Sequence, residues 1–188
     1  MDNNTDRNLV VDVKNLHISF KTFKGYSKVL NGVNLQVHKR ERIAIVGETG
    51  CGKTTTVSAI AQILAKQARI DKGEIFFNGK SVLKMNAKEL KKMRENGISI
   101  IFQDPIASLN PVFTIGNQMR EVIRYSGIDG ATDKNVQTER TIAALKETSM
   151  PDPERIMESY PFQLSGGMRQ RICIAMSLST PRDLVIAD

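Results

Sequence analysis

Eight consecutive residues, Gly47-Glu48-Thr49-Gly50-Cys51-Gly52-Lys53-Thr54, fit the spacing G-x-x-x-x-G-K-[ST], and the residue types suit contact with phosphate. Glycines at 47, 50 and 52 allow positive φ and close backbone approach, so successive N–H groups can turn into one anion-sized hollow. Lys53 can reach β- and γ-phosphate oxygens, and the Thr54 hydroxyl is a hard oxygen donor of the kind Mg²⁺ prefers. The apolar run Arg42-Ile43-Ala44-Ile45-Val46 ahead of the loop reads as a buried strand, and a helix starting near Lys53 adds its positive end. The chain is expected to bind a nucleoside triphosphate.

A second helix start is built for an anion. In Leu164-Ser165-Gly166-Gly167-Met168-Arg169-Gln170-Arg171, Ser165 is placed as an N-cap and the glycines leave the following N–H groups unshielded. An amphipathic helix follows, with Ile172, Ala175, Met176 and Ser179 on one face. Between the two glycine motifs, Ser99-Ile100-Ile101-Phe102 reads as a strand that delivers Gln103 at its C-terminal end, where α/β sheets place ligand chemistry. Asp183-Leu184-Val185-Ile186-Ala187-Asp188 is an apolar strand ending in a carboxylate.

On these four segments the chain resembles the ATP-binding subunits of ABC transporters. Residues 47–54 match the phosphate loop, Leu164 to Arg171 the signature L-S-G-G-x-x-x-R, Gln103 the Q-loop glutamine and Asp188 the Walker B aspartate. The resemblance implies an α/β P-loop fold of ABC type, a mostly parallel core sheet with an N-terminal antiparallel β subdomain and a helical insert, lacking the C-terminal part of the core. It implies ATP and Mg²⁺ as cofactors. Residues Gly47 to Thr54 together with Thr55 would hold the phosphates; Thr54, Gln103 and Asp188 would hold the metal. Lys53, Gln103 and Asp188 would act in catalysis, as would Ser165 on the ATP of a second subunit arranged head to tail, where Ser165, Gly166 and Gly167 would close over the γ-phosphate. The family stacks adenine on an aromatic of the lead-in sheet, for which Phe20 is the first choice and Tyr26 the second.

The segment Gln103 to Pro111, Tyr160-Pro161 before the signature and Met168-Arg169-Gln170-Arg171 within it look like the oligopeptide, dipeptide and nickel importer branch, in its D-type subunit. The implied partners are a second ATPase subunit, membrane-spanning permease subunits and, indirectly, a substrate-binding protein, at the inner face of the cell membrane. Family members follow the Walker B aspartate with a water-polarising glutamate, a dimer-contact loop and a switch histidine. This sequence stops at Asp188, and His17 and His38 both precede the phosphate loop. The chain is therefore expected to be truncated, with hydrolysis by it alone in doubt. Two other readings stay open: a non-hydrolysing nucleotide-binding fragment, and a soluble ABC ATPase acting on nucleic acid or ribosomes. The latter kind carries long coiled insertions or a duplicated cassette, whereas the insert here is short and single.

The elements that must position these residues read as one incomplete nucleotide-binding domain over 1–188. Residues 9–37 alternate as an antiparallel lead-in sheet. Residues 42–103 form the core, with a strand at Glu74-Ile75-Phe76-Phe77 and a lysine-rich helix. From about 110 to 160 the pattern is helical, with Ile115, Met119, Val122 and Ile123 on one stripe and Asp152-Pro153 starting a further short helix. Residues 164–188 hold the signature helix and the Walker B strand. Pro105 and Pro111 make the segment after Gln103 a stiff connector.

Composition narrows the class. Hydrophobic residues make up 40% and charged residues 25%, and no apolar run approaches the roughly 20 residues a membrane span needs. Met1 to Asn8 lacks the basic-then-apolar layout of a secretion signal, and two cysteines, Cys51 and Cys173, read as small fillers in a reducing cytoplasm. The net charge of +7 includes Lys84, Lys88, Lys91 and Lys92 at helical spacing, which reads as a solvated face. Without Trp, aromatic-interleaved basic strands or zinc spacing, no nucleic-acid partner is expected; attraction to an anionic membrane surface is compatible with the charge.

Overall fold

Leu9–Thr22 and Gly25–His38 alternate apolar and polar side chains on either side of a tight turn, and they pair antiparallel as β1 and β2. The computed structural model describes residues 8–188, and the chain divides into two units, Met1–Lys91 and Lys92–Asp188.

In the first unit, β3 (Ala68–Phe77) pairs antiparallel with β1, and β4 (Lys80–Ser81) returns beside β3, giving the sheet order β2-β1-β3-β4. The β3–β4 turn is Asn78-Gly79, both at positive φ, as a two-residue hairpin loop requires. Val11, Val13, Leu16, Ile18 and Ile75 are fully buried, each contributing about 1.5–3 kcal/mol by leaving water. One extra residue of β1 bulges between Lys14 and His17, opposite Gly73. Gly73 sits at φ 106°, and a Cβ there would lie 2.5 Å from the Asn15 carbonyl, so the bulge and the glycine require each other. The unit also holds α1 (Lys53–Ile60) and a 3-10 turn at Val82–Lys84, and α2 (Ala87–Lys92) spans its boundary.

Two expectations are corrected here. Glu74–Phe77 is a strand, but it belongs to the antiparallel lead-in sheet, because its register with Val11 to Lys14 buries Ile75 and Phe77. Arg42 to Val46 forms no strand; Ile43 and Ile45 are each 42% exposed and Val46 is 91% exposed. β-branched propensity supplies no hydrogen-bond partner, and no described strand pairs with this segment.

In the second unit, β5 (Ile98–Ile101) and β6 (Leu184–Ala187) run parallel, with Ile98 opposite Leu184 and Ile101 opposite Ala187. Five helices surround a separate core: α3 (Pro105–Ser108), α4 (Ile115–Arg124), α5 (Lys134–Glu147), α6 (Pro153–Glu158) and α7 (Gly166–Leu178). Ile115 and Met119 of α4, Leu145 of α5, Ile156 of α6 and Ile172 of α7 meet with no exposure to solvent. The start of α6 follows its sequence signal. Thr114, Asp133 and Asp152 each accept a backbone N–H at the starts of α4, α5 and α6, and Pro153 takes the first position of α6.

Candidate functional site

The phosphate loop lies in the first unit and folds back on its own lysine. The Lys53 Nζ donates to the carbonyl oxygens of Gly47 at 2.7 Å and Glu48 at 2.8 Å, and stands 3.8 Å from the Cys51 Sγ. Helix α1 starts at Gly52, whose φ is 99°. A Cβ at Gly52 would stand 2.5 Å from Leu30 Cδ2 and 3.5 Å from the Val29 carbonyl, so β2 forms the seat of the helix start. Thr56 fastens the same point, its backbone N–H and its hydroxyl both donating to the Gly52 carbonyl. Gly50 also has positive φ. Gly47 does not; a Cβ there would fall 2.7 Å from the Cys51 Sγ, which would have to turn aside. Cys51 is exposed, against the filler reading, since its loop has no core beneath it.

Gln103 and Asp188 belong to the second unit. The Asp188 N–H donates to the Ile101 carbonyl at 3.0 Å, so Gln103 and Asp188 follow the C-terminal ends of adjacent parallel strands. Both line one open cavity of about 650 Å³, together with Ser99, Ser108, Cys173 and Ser177. A carboxylate, an amide oxygen and serine hydroxyls are a hard-oxygen set, which fits Mg²⁺. Cys173 and Ser177 of α7 were not anticipated; they stand at i and i+4 beside the stripe read as core, and that spacing was the available signal. Burial pushes the Cys173 thiol up.

The segment after Gln103 is held more firmly than its prolines alone would manage. Gln118 of α4 accepts from the Asn110 N–H at 2.9 Å and donates to the carbonyls of Asn110 at 2.9 Å and Phe113 at 3.0 Å. An eight-residue separation carries no sequence signal for that clamp.

Ser165 caps α7 as expected, its Oγ accepting from the Met168 N–H at 3.3 Å, while Leu164 is buried in the helical core. Ser165 is not among the residues lining the Gln103–Asp188 cavity. Gly166 and Gly167 have no positive φ, and a Cβ on either would meet nothing within 4 Å. Among the described residues nothing requires glycine there.

Of the two candidate aromatics, Phe20 is half-buried in β1, paired with Ser27 and Ala68. Tyr26 is 53% exposed, and one face of its ring carries the Arg69 guanidinium at 4.2 Å. Arg69 also pairs with Asp71, 2.7 Å away, which accepts the Ser19 hydroxyl. The Ser19 hydroxyl first and Arg69 second hold the Asp71 carboxyl below the usual aspartate range.

The ABC transporter family model matches residues 30–188, and the chain belongs to that family. It is 39% identical over its full length to a probable peptide ABC transporter ATP-binding protein of Sinorhizobium fredii, covering 56% of that protein. It is 40% identical to the dipeptide transport ATP-binding protein DppD of Bacillus subtilis, over 95% of this chain and 53% of that protein. Among solved structures it resembles the dimeric ATP-binding cassette MJ0796 bound to ADP and phosphate, with a TM-score of 0.83 and 26% identity, covering 95% of this chain and 73% of that one. The chain thus spans about half the length of the curated relatives it matches. Among the described residues no helix is long and apolar enough to cross a membrane.

Proposed function

We propose that the chain is the nucleotide-binding part of an energy-coupling subunit that uses ATP binding and hydrolysis to drive import of peptides. The observation that carries this reading is the placement of Gln103 and Asp188 at neighbouring strand ends around one cavity, in a chain that also holds a complete phosphate loop. Likeness to dipeptide and peptide transport proteins supports peptide as the cargo; nickel, implied by the branch resemblance, is the alternative.

In this reading residues 1–188 form one nucleotide-binding domain, with 9–37 as lead-in sheet, 42–103 as core, about 110–160 as helical insert and 164–188 as signature helix and Walker B strand. Backbone N–H groups of Gly47 to Thr55 cradle the phosphates. The Lys53 ammonium leaves its two carbonyls for charged phosphate oxygens, exchanging neutral acceptors for stronger ones. Thr54, Gln103 and Asp188 hold Mg²⁺, which when bound neutralises charge on the phosphate oxygens. Phe20 stacks on adenine, with Tyr26 as the alternative. Ser165, Gly166 and Gly167 approach the γ-phosphate held by a second cassette, head to tail; the empty space over both glycines supports such an approach, as does the dimeric state of the MJ0796 cassette. The assembly sits on the inner face of the cell membrane against permease subunits, which receive cargo from a substrate-binding protein.

The test is calorimetric titration of the chain with ATP, with and without Mg²⁺, alongside Asp188→Asn. Binding that strengthens with Mg²⁺, and loses that gain in the variant, is the expected outcome. Absence of nucleotide binding would remove the reading.

A further inference from the structure

Helix α2 has no buried residue, although the turn Val82–Lys84 that leads into it packs on β3 through the buried Val82. A short helix with no fully buried side chain adds little to the core, so its composition can answer to something outside it. Between Lys80 and Lys91 the chain carries four lysines, Lys80, Lys84, Lys88 and Lys91, and one acid, Glu89. That acid is engaged locally: its carboxylate accepts the Asn86 N–H at 2.9 Å, while the Asn86 side chain accepts the N–H groups of Lys88 and Glu89 at 3.0 Å each. Lys80, Lys84 and Lys88 are exposed and form no ion pair among the described residues. Leu83, also exposed, lies between two of them.

We infer that the Lys80–Lys91 segment is a contact surface for anionic lipid headgroups, through which the chain touches a membrane directly. The choice of occupant follows from charge and from what is lacking. Lysine is a strongly hydrated point charge suited to a diffuse anionic surface, and clusters of four or more basic residues are attracted to such surfaces by several additive increments. Recognition of single-stranded nucleic acid would call for aromatic stacking platforms, and this segment has no aromatic residue. A membrane is also the setting that the transporter reading supplies, and the inference rests on that reading for its biological meaning alone.

The experiment is co-sedimentation of the chain with vesicles of phosphatidylcholine alone and of equal parts phosphatidylcholine and phosphatidylglycerol, at low and high potassium chloride. The chain is expected to sediment with the anionic vesicles at low salt, to be released at high salt and to stay behind with the neutral ones. Replacing Lys80, Lys84 and Lys88 together by glutamine should lower the partition coefficient about a hundredfold, taking about fivefold per lysine. Equal partition of parent and triple variant, equal binding to both vesicle types, or preference for a short RNA over the anionic vesicles would each overturn the inference. ATP titration of the same samples separates the two ideas. The triple variant should bind ATP like the parent, whereas a parent that binds vesicles but no ATP would leave this surface standing and remove the transporter reading.

Discussion

The Lys53 ammonium rests on the carbonyl oxygen of Gly47, 2.7 Å away at the opposite end of its own loop. A loop closed in this way holds its cation near the hollow before any anion arrives. Lys53→Ala is expected to weaken ATP binding by about ten- to a hundredfold or more, since a charged hydrogen bond is worth about 1.5–3 kcal/mol. The melting temperature should hardly move, because water can reach the exposed carbonyls that the lysine releases. Equal affinities by calorimetry would reduce residues 47–54 to a turn.

Gly52 and Leu30 form a second coupled pair. Gly52→Ala meets Leu30 Cδ2 at 2.5 Å and must also keep a φ of 99°, a strain of about 1–3 kcal/mol before the clash is counted. Adding Leu30→Ala removes the clash but leaves the backbone strain. The double variant should therefore be more stable than the sum of the two single losses, with a coupling of about 0.5–3 kcal/mol by urea unfolding. Strict additivity would mean that Leu30 is not the seat of the helix start.

At the signature, fold stability and association should separate. Gly166→Ala and Gly167→Ala have helical backbone and open space for the new methyl, so each is expected to raise stability by up to about 0.5–1 kcal/mol. The same methyls stand where a second cassette would approach and should weaken ATP-dependent association, read by light scattering. Ser165→Arg should block association outright while leaving nucleotide binding by the single chain intact. Variants that associate like the parent would sink the cross-subunit role.

Asp71 gives a pH prediction with a definite sign. Its carboxyl titrates below the ordinary aspartate range when folded, so its contribution is present above that range and is lost as pH falls through the depressed value. Carboxyl NMR should show the Asp71 midpoint rising in Ser19→Ala, and rising by less in Arg69→Gln, since the serine hydroxyl is the larger cause. A midpoint unchanged in Ser19→Ala would contradict the hydrogen bond between them.

Gln118→Leu removes three hydrogen bonds to the backbone of Asn110 and Phe113. A stability loss of about 1–3 kcal/mol is expected, with the Asn110 amide exchanging its hydrogen sooner than amides within α4. Unaltered exchange at Asn110 would show that Pro111 and its neighbours suffice to hold the segment.

Local signals carried most of the fold. The alternation in β1 and β2, the cap residues Asp152 and Ser165, and the stripe of Ile115, Met119 and Ile123 act within a turn or two of chain, and each stands where its sequence pattern put it; Thr114 and Asp133 cap α4 and α5 without having been singled out from the sequence. Glu74–Phe77 had the right element type and the wrong sheet, because strand propensity does not name a partner. Gly73 opposite the Asn15 bulge, Leu30 beneath Gly52 and Gln118 over Asn110 depend on residues brought together by the fold, and no periodicity reports such contacts. Within the candidate site, the residue types of the phosphate loop were legible, but the close approach of the Cys51 side chain to Gly47, four positions back, was not.

The unpaired run Arg42 to Val46 bears on how the protein behaves in the tube. Two isoleucines and a valine stand open to water on a backbone whose amides have no sheet to join, and that is the composition that recruits another copy of itself. Self-association through this run should rise steeply with concentration and be insensitive to salt, unlike attraction between charges. Ile45→Lys would suppress it, and scattering measurements on nucleotide-driven dimers need that variant as their background.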